Sequence, residues 1–172
     1  STTKIMTCLV ALEHSELTEK VTVKREHLRE GSSMYLLEGE TLTMEELLYG
    51  LMLPSGNDAA VAIAGECGGM TAFVGKMNAK AAELGLMDTH FDNPNGLPSD
   101  THYTTAHELA KITAAALKDP VFRQIVSTKS CTVSGHALSN HNRLLSMYDG
   151  AIGVKTGYTR AAGRCLVSAA ER

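Results

Sequence analysis

The chain has 172 residues, 44% of them apolar and 20% charged, with a formal net charge of −3. That is the usage of one globular domain, long enough to bury a core without staples. Its Lys and Arg are spread among Asp and Glu, so the basic face that a nucleic-acid partner needs is missing. The richest apolar run, Ala59 to Ala64, falls far short of the roughly 20 residues a membrane-spanning helix requires. No basic, apolar, small-residue leader opens the chain, so neither a signal peptide nor a membrane anchor is expected in it.

The first element is a helix from about Thr2 to His14, on the helical spacing of Ile5, Cys8, Leu9 and Leu12, with Ser1 at its N-terminus. Val21-Thr22-Val23 reads as a strand and Glu30 to Ser33 as a loop. Thr43-Met44-Glu45-Glu46 is a capping box that opens a helix carrying Leu47, Leu48, Leu51 and Met52. Pro54-Ser55-Gly56 ends that helix, and Asn57 or Asp58 can cap a short apolar one through Ala64. Gly68-Gly69 breaks it, and a further helix runs from Thr71 to Leu84, stopped by Gly85.

Residues 88 to 104 form a polar loop, too long for an idle connection in a compact domain. A second capping box, Thr105 to Glu108, opens a helix to Leu117, and Pro120 starts a short helical turn through Val126. Strand character then takes over at Cys131–Val133, Ile152–Val154 and Cys165–Val167. Helices in the middle and strands late predict an α+β fold.

The four cysteines lie far apart with no C-x-x-C pair, so they read as free, mostly buried thiols. The seven histidines contain no H-E-x-x-H and read mostly as surface or satisfied polar groups. No metal and no organic cofactor is expected. Met44, Met52, Met70, Met77 and Met87 read as core filler.

Three short constellations carry chemistry. In Ser1-Thr2-Thr3-Lys4, positions i and i+3 of a helix share a face, so the Ser hydroxyl and the Lys amine can meet. A serine nucleophile needs such a base, and a lysine serves when burial or a nearby cation lowers its pKa. The helix N-terminus also offers N–H groups to a developing oxyanion. Ser55-Gly56-Asn57 places a hydroxyl and an amide at a helix–helix junction. Lys155-Thr156-Gly157 follows a strand, where a Lys and a Thr can hold a carboxylate and a Gly admits a substrate backbone. Taken singly, each is ordinary cap or turn chemistry.

Together, S-x-x-K, S-x-N and K-T-G, in that order, match motifs of the serine β-lactamases and penicillin-binding proteins. The chain resembles the low-molecular-weight penicillin-binding proteins that are serine-type D-alanyl-D-alanine carboxypeptidases, of the peptidase S11 type. The resemblance extends over Leu53 to Ala60, Thr89 to Leu97, Tyr103 to Ala106, Asn140 to Leu145 and Gly153 to Thr159. It implies that Ser1 is the acylated nucleophile, Lys4 its base and Ser55 the relay to the leaving D-alanine, helped by Lys155. Asn57 would hold the penultimate carbonyl and Thr156 the terminal carboxylate, with Gly157 on the same strand edge. The N–H groups of Ser1 and Tyr158 would form the oxyanion hole. His141, Asn142 and Arg143 fall near the carboxylate end.

The implied fold is that of the β-lactamases and penicillin-binding transpeptidases, α+β, with helices beside an antiparallel sheet. A single catalytic domain would cover residues 1–172, with a helical subdomain over about 14–126 and a sheet-associated part over about 127–172. It would be incomplete at both ends. The implied substrate is a peptidoglycan stem peptide ending in D-Ala-D-Ala, β-lactams are the implied covalent inhibitors, and the implied location is extracytoplasmic. A serine β-lactamase is the nearest alternative, but residues 88–104 lack the glutamate that would activate its deacylating water. A catalytically inactive penicillin-binding fragment is the second. An N-terminal-nucleophile hydrolase fits badly with so few strands in the first half.

Overall fold

Helix α1 (Lys4–His14) runs through the middle of the computed structural model, which describes residues 1–172. Its residues from Lys4 to Ala11 are all buried, not only the expected stripe. The reason is its neighbours. Helices α2 (Met44–Met52), α3 (Asn57–Glu66), α4 (Met70–Glu83), α5 (Ala106–Ala116) and α6 (Pro120–Ser127) all pack against it. A helix enclosed this way has no solvent face to keep polar. Each large apolar side chain it buries contributes about 2 kcal/mol.

The first half also holds a short hairpin, β1 (Lys20–Thr22) with β2 (Thr41–Thr43), paired Val21 to Leu42. A 3-10 turn, Arg25–His27, lies between them. β2 runs straight into α2 through the capping box: Glu46 N donates to Thr43 Oγ1 at 3.2 Å, and Thr43 N to Glu46 Oε2 at 2.9 Å. The second box forms only in part. Glu108 N donates to Thr105 Oγ1 at 3.1 Å, but the Glu108 carboxylate instead accepts from Met87 N, Asp88 N and Thr89 Oγ1.

The segment 88–104 has no regular element beyond one bridge, His90 to Tyr103. Side chains replace the missing ladder. Asn78 brackets Phe91, accepting from its N–H and donating to its carbonyl, both at 2.9 Å. Asn93 Oδ1 accepts from Gly96 N and Leu97 N.

The last third holds the hairpin β3 (Ser130–Val133) with β4 (His136–Ser139), the short helix α7 (Leu144–Met147), and the hairpin β5 (Ala151–Thr159) with β6 (Gly163–Ala170). β5 is much longer than Ile152–Val154, so Lys155, Thr156 and Gly157 stand within a strand. It packs against α6 and α7 and is bonded along one edge only, to β6.

Three smaller expectations are corrected. Helix α1 starts at Lys4 with Thr3 as its N-cap, because Ser1 to Thr3 form a preceding turn. Cys8 and Cys67 are buried, but Cys131 and Cys165 are partly exposed on the hairpins. Met44, Met52 and Met77 are core, whereas Met70 and Met87 stand at the surface, at a helix start and in a loop.

Candidate active site

The turn ahead of α1 is built by local bonds: Lys4 N donates to Ser1 O at 3.1 Å, Ile5 N to Thr2 O at 3.2 Å and Met6 N to Thr3 O at 3.0 Å. It aims Lys4 back at Ser1, and Lys4 Nζ lies 3.2 Å from Ser1 Oγ. The same nitrogen lies 3.1 Å from Ser55 Oγ and 2.9 Å from Asn57 Oδ1. One amine therefore joins two of the three motifs.

Ser55 reaches it from a strained turn. Its φ of 63° is left-handed, which a serine rarely adopts. Gly56 follows as N-cap of α3, where any Cβ would press on the Gly50 carbonyl and the Asp58 carboxylate. Neither Asn57 nor Asp58 is the cap. Asn57 N donates to Ser32 O at 2.8 Å and Asn57 Nδ2 to Glu30 O at 3.2 Å. Asp58 is buried and accepts from Ser33 Oγ, Met34 N, Leu36 N and its neighbour Ala59 N. The loop 30–36 is thereby pinned beside Asn57.

Lys4 is 0% exposed and Lys155 1% exposed, and no ion pair in the structure involves either. Lys155 Nζ donates to the Thr156 carbonyl at 2.8 Å. Burial above all, and the Lys155 charge next, push Lys4 down to about 7, with Asp58 opposing. Burial brings Lys155 to about 8. A neutral Lys4 amine can donate to Asn57 and Ser55 and still accept the Ser1 proton.

Ser1 and Ser55, which Lys4 bonds, open onto a cleft of about 490 Å³ whose walls also include Ser32, Thr156, Gly157 and Tyr158. A second cleft of about 670 Å³ adjoins it and shares Ser1, Gly157 and Tyr158. Gly157 explains how β5 approaches the N-terminal turn. A Cβ there would stand 3.3 Å from Thr2 N and 3.6 Å from Ser1 Cβ.

His141, Asn142 and Arg143 also line the first cleft. His141 is exposed at the wall, and burial of part of its ring, then Lys155 and Lys4, lower its pKa. Asn142 is 3% exposed, and its Nδ2 is a buried donor with no partner. Eight of the eleven candidate residues thus line one cleft, and Lys4, Asn57 and Lys155 are joined to them by hydrogen bonds. Sequence reasoning missed Asp58, Thr3 and His102, which act through bonds between distant segments and leave no local signature. It assigned no chemistry to Gly31-Ser32-Ser33, yet Ser32 lines the cleft.

The family model described as D-alanyl-D-alanine carboxypeptidase, peptidase S11, matches residues 1–172. The chain is 42% identical to a D-alanyl-D-alanine carboxypeptidase of Streptomyces sp. strain K15, over 100% of this chain and 67% of that protein. It is 41% identical to D-alanyl-D-alanine carboxypeptidase DacB2 of Mycobacterium tuberculosis, over 100% of this chain and 62% of the other. Among solved structures, the Streptomyces K15 DD-transpeptidase superposes with a TM-score of 0.94 at 41% identity, covering 100% of this chain and 75% of its own. The chain therefore spans about two thirds of the length of these curated relatives.

Proposed function

The chain belongs to the D-alanyl-D-alanine carboxypeptidase family, peptidase S11, and from that premise we propose that it removes the terminal D-alanine of peptidoglycan stem peptides through an acyl-enzyme on Ser1. The observation that carries this reading is the single buried, unpaired Lys4 amine within hydrogen-bond reach of Ser1, Ser55 and Asn57.

In this mechanism Lys4, neutral, takes the proton of Ser1 Oγ. The oxygen attacks the carbonyl carbon between the two D-alanines. The oxyanion that forms is held by the N–H groups of Ser1 and Tyr158. As the C–N bond breaks, the Lys4 proton passes through Ser55 to the leaving amine. Lys155 and Thr156 hold the terminal carboxylate of the substrate. Asn57 Nδ2 spends one proton on the Glu30 carbonyl and has the other for the penultimate carbonyl. Gly157 gives the peptide room along the free edge of β5. Water then cleaves the ester, releasing the shortened peptide and restoring Ser1.

A β-lactam would acylate Ser1 and persist there. The β-lactamase alternative finds no support in the segment 88–104. It holds no glutamate, and the Asp92 carboxylate is occupied by Ser99 and Thr101. The stem peptide is displayed outside the bacterial cytoplasmic membrane, so the proposed place of action is extracytoplasmic. No helix here is long and apolar enough to cross a membrane.

The test is intact mass after incubation with a penicillin, with Ser1→Ala as control. The expected result is a stable adduct of the drug's mass on wild type only. Hydrolysed penicillin without an adduct moves the reading to a β-lactamase. Intact penicillin without an adduct moves it to an inactive protein.

A further inference from the structure

The catalytic steps above use nothing from the segment 88–104, yet that segment is bonded to the turn that carries Ser1. His102 is the joint. Its Nε2 lies 2.8 Å from Thr3 Oγ1, and its Nδ1 accepts from Asp92 N at 2.9 Å. The second bond assigns the tautomer. A ring nitrogen that accepts from a backbone N–H carries no proton, so in the neutral ring the proton sits on Nε2. His102 therefore donates to the Thr3 hydroxyl. Phe91 meets its ring edge-on at 5.7 Å, which fixes the ring plane.

Thr3 is a sensitive place to hold. It is the N-cap of α1, and its carbonyl accepts from Met6 N at 3.0 Å and Thr7 N at 3.3 Å. Its own side chain makes no capping bond to the helix, so the hydroxyl is free for His102. Two neighbouring contacts run the same way. Thr7 Oγ1 donates to Pro94 O, and Gly96 packs so closely that a Cβ would meet Thr3 Oγ1 at 3.1 Å. The backbone of Ser1, two residues before Thr3, is tied to the helix by its carbonyl bond to Lys4 N, and its side chain by the contact with Lys4 Nζ.

We propose that His102 is a positioning residue for the nucleophile: through the Thr3 hydroxyl it fixes the turn that aims Ser1 Oγ at Lys4 and at the substrate carbonyl. This rests on the reading of Ser1 as the nucleophile. Reacting atoms must sit within a few tenths of an ångström of a productive pose, and a misplacement of about 1 Å costs roughly 100-fold in rate. Loss of His102 therefore slows the chemical step and leaves the noncovalent binding of substrate, which Thr156, Lys155 and Asn57 govern.

The two ring nitrogens can be tested separately in the intact protein. His102→Gln keeps a donor near the Nε2 position, and His102→Asn keeps an acceptor near the Nδ1 position. Stopped-flow acylation by a chromogenic cephalosporin separates the initial dissociation constant from the acylation rate. The expected acylation rates are within about threefold of wild type for the Gln variant and about tenfold down for the Asn variant, with the dissociation constant unchanged for both. Thr3→Val slows acylation as much as His102→Asn, and the double variant slows it no further. Equal rates for Gln and Asn, or additive losses in the double variant, overturn the proposal while Ser1 stays the nucleophile. A wild-type protein that takes no acyl group overturns both.

Discussion

Lys4 and Lys155 lie sealed beneath one cleft, and each lacks an acidic partner. Two buried amines that share a site cannot both hold a full charge cheaply. The first to lose its proton is Lys4, which burial and then Lys155 bring to about 7, against about 8 for Lys155. Acylation needs Lys4 neutral and Lys155 charged. Its rate with a penicillin should therefore rise as pH passes through about 7 and fall as Lys155 deprotonates through about 8. The profile is a narrow bell whose two limbs belong to the coupled pair. In Lys155→Gln the neighbouring cation is gone, Lys4 titrates higher, and the acid limb of the residual acylation moves up in pH. An acid limb that stays in place would show that Lys155 does not set the Lys4 pKa.

Asp58 should matter more for stability than any other acid. Its carboxylate is 1% exposed and accepts from Ser33 Oγ, Met34 N, Leu36 N and Ala59 N. Asp58→Ala strands buried backbone donors, and each stranded donor costs about 1–3 kcal/mol. We expect a loss of about 3–5 kcal/mol in urea unfolding. Asp58→Asn, which keeps one acceptor, should lose less. A loss below about 1 kcal/mol for the Ala variant would mean the loop 30–36 finds other partners.

What the sequence made legible follows the range of the forces involved. The Thr43 to Glu46 box forms because capping is settled within one turn of chain. The strand β2 went unread because its last residue, Thr43, is also the N-cap of α2, so the capping box masked it. β4 went unread because Leu138 is the one large apolar side chain among its four residues. β5 looked short because Lys155-Thr156-Gly157 resembles a turn, and it is extended through Thr159 by its register with β6. Ser1, Lys4, Ser55, Asn57 and Lys155 were legible as motifs. Glu108, expected to complete a box, was captured by residues 87–89. No local pattern announces that His102 would find Thr3, and the fold alone joins them.

Thiol chemistry should single out Cys165. It borders both clefts and faces Gly157 across the β5–β6 pair. Cys8 and Cys67 are buried, and burial raises the pKa of Cys8, Cys67 and Cys131, which slows thiolate formation at all three. Iodoacetamide followed by peptide mass mapping should find Cys165 modified first, and prior acylation with a penicillin should protect it. Modification of Cys131 ahead of Cys165 would place the more reactive thiol away from the cleft.

Gly157→Ala tests how closely the strand must approach the nucleophile. The added methyl would lie 3.3 Å from Thr2 N, tighter than ordinary van der Waals contact, and 3.4 Å from Thr2 Cγ2, at the edge of it. Neither neighbour is a flexible tip that can swing away. Thr2 is held by its carbonyl bond to Ile5 N, and β5 is held by its ladder to β6. The strain is resolved by a shift of a few tenths of an ångström between the turn and the strand. Stability should fall modestly, by about 1 kcal/mol. Catalysis should change more, because the same shift separates Ser1 Oγ from the Tyr158 N–H that would hold the oxyanion, and losing one such donor costs roughly 100-fold or more. The expected outcome is a folded protein whose acylation by penicillin is at least about tenfold slower, with Lys4 titrating as in wild type. Acylation at the wild-type rate would mean that the turn and the strand can separate without disturbing the site, and that Gly157 serves the substrate backbone alone.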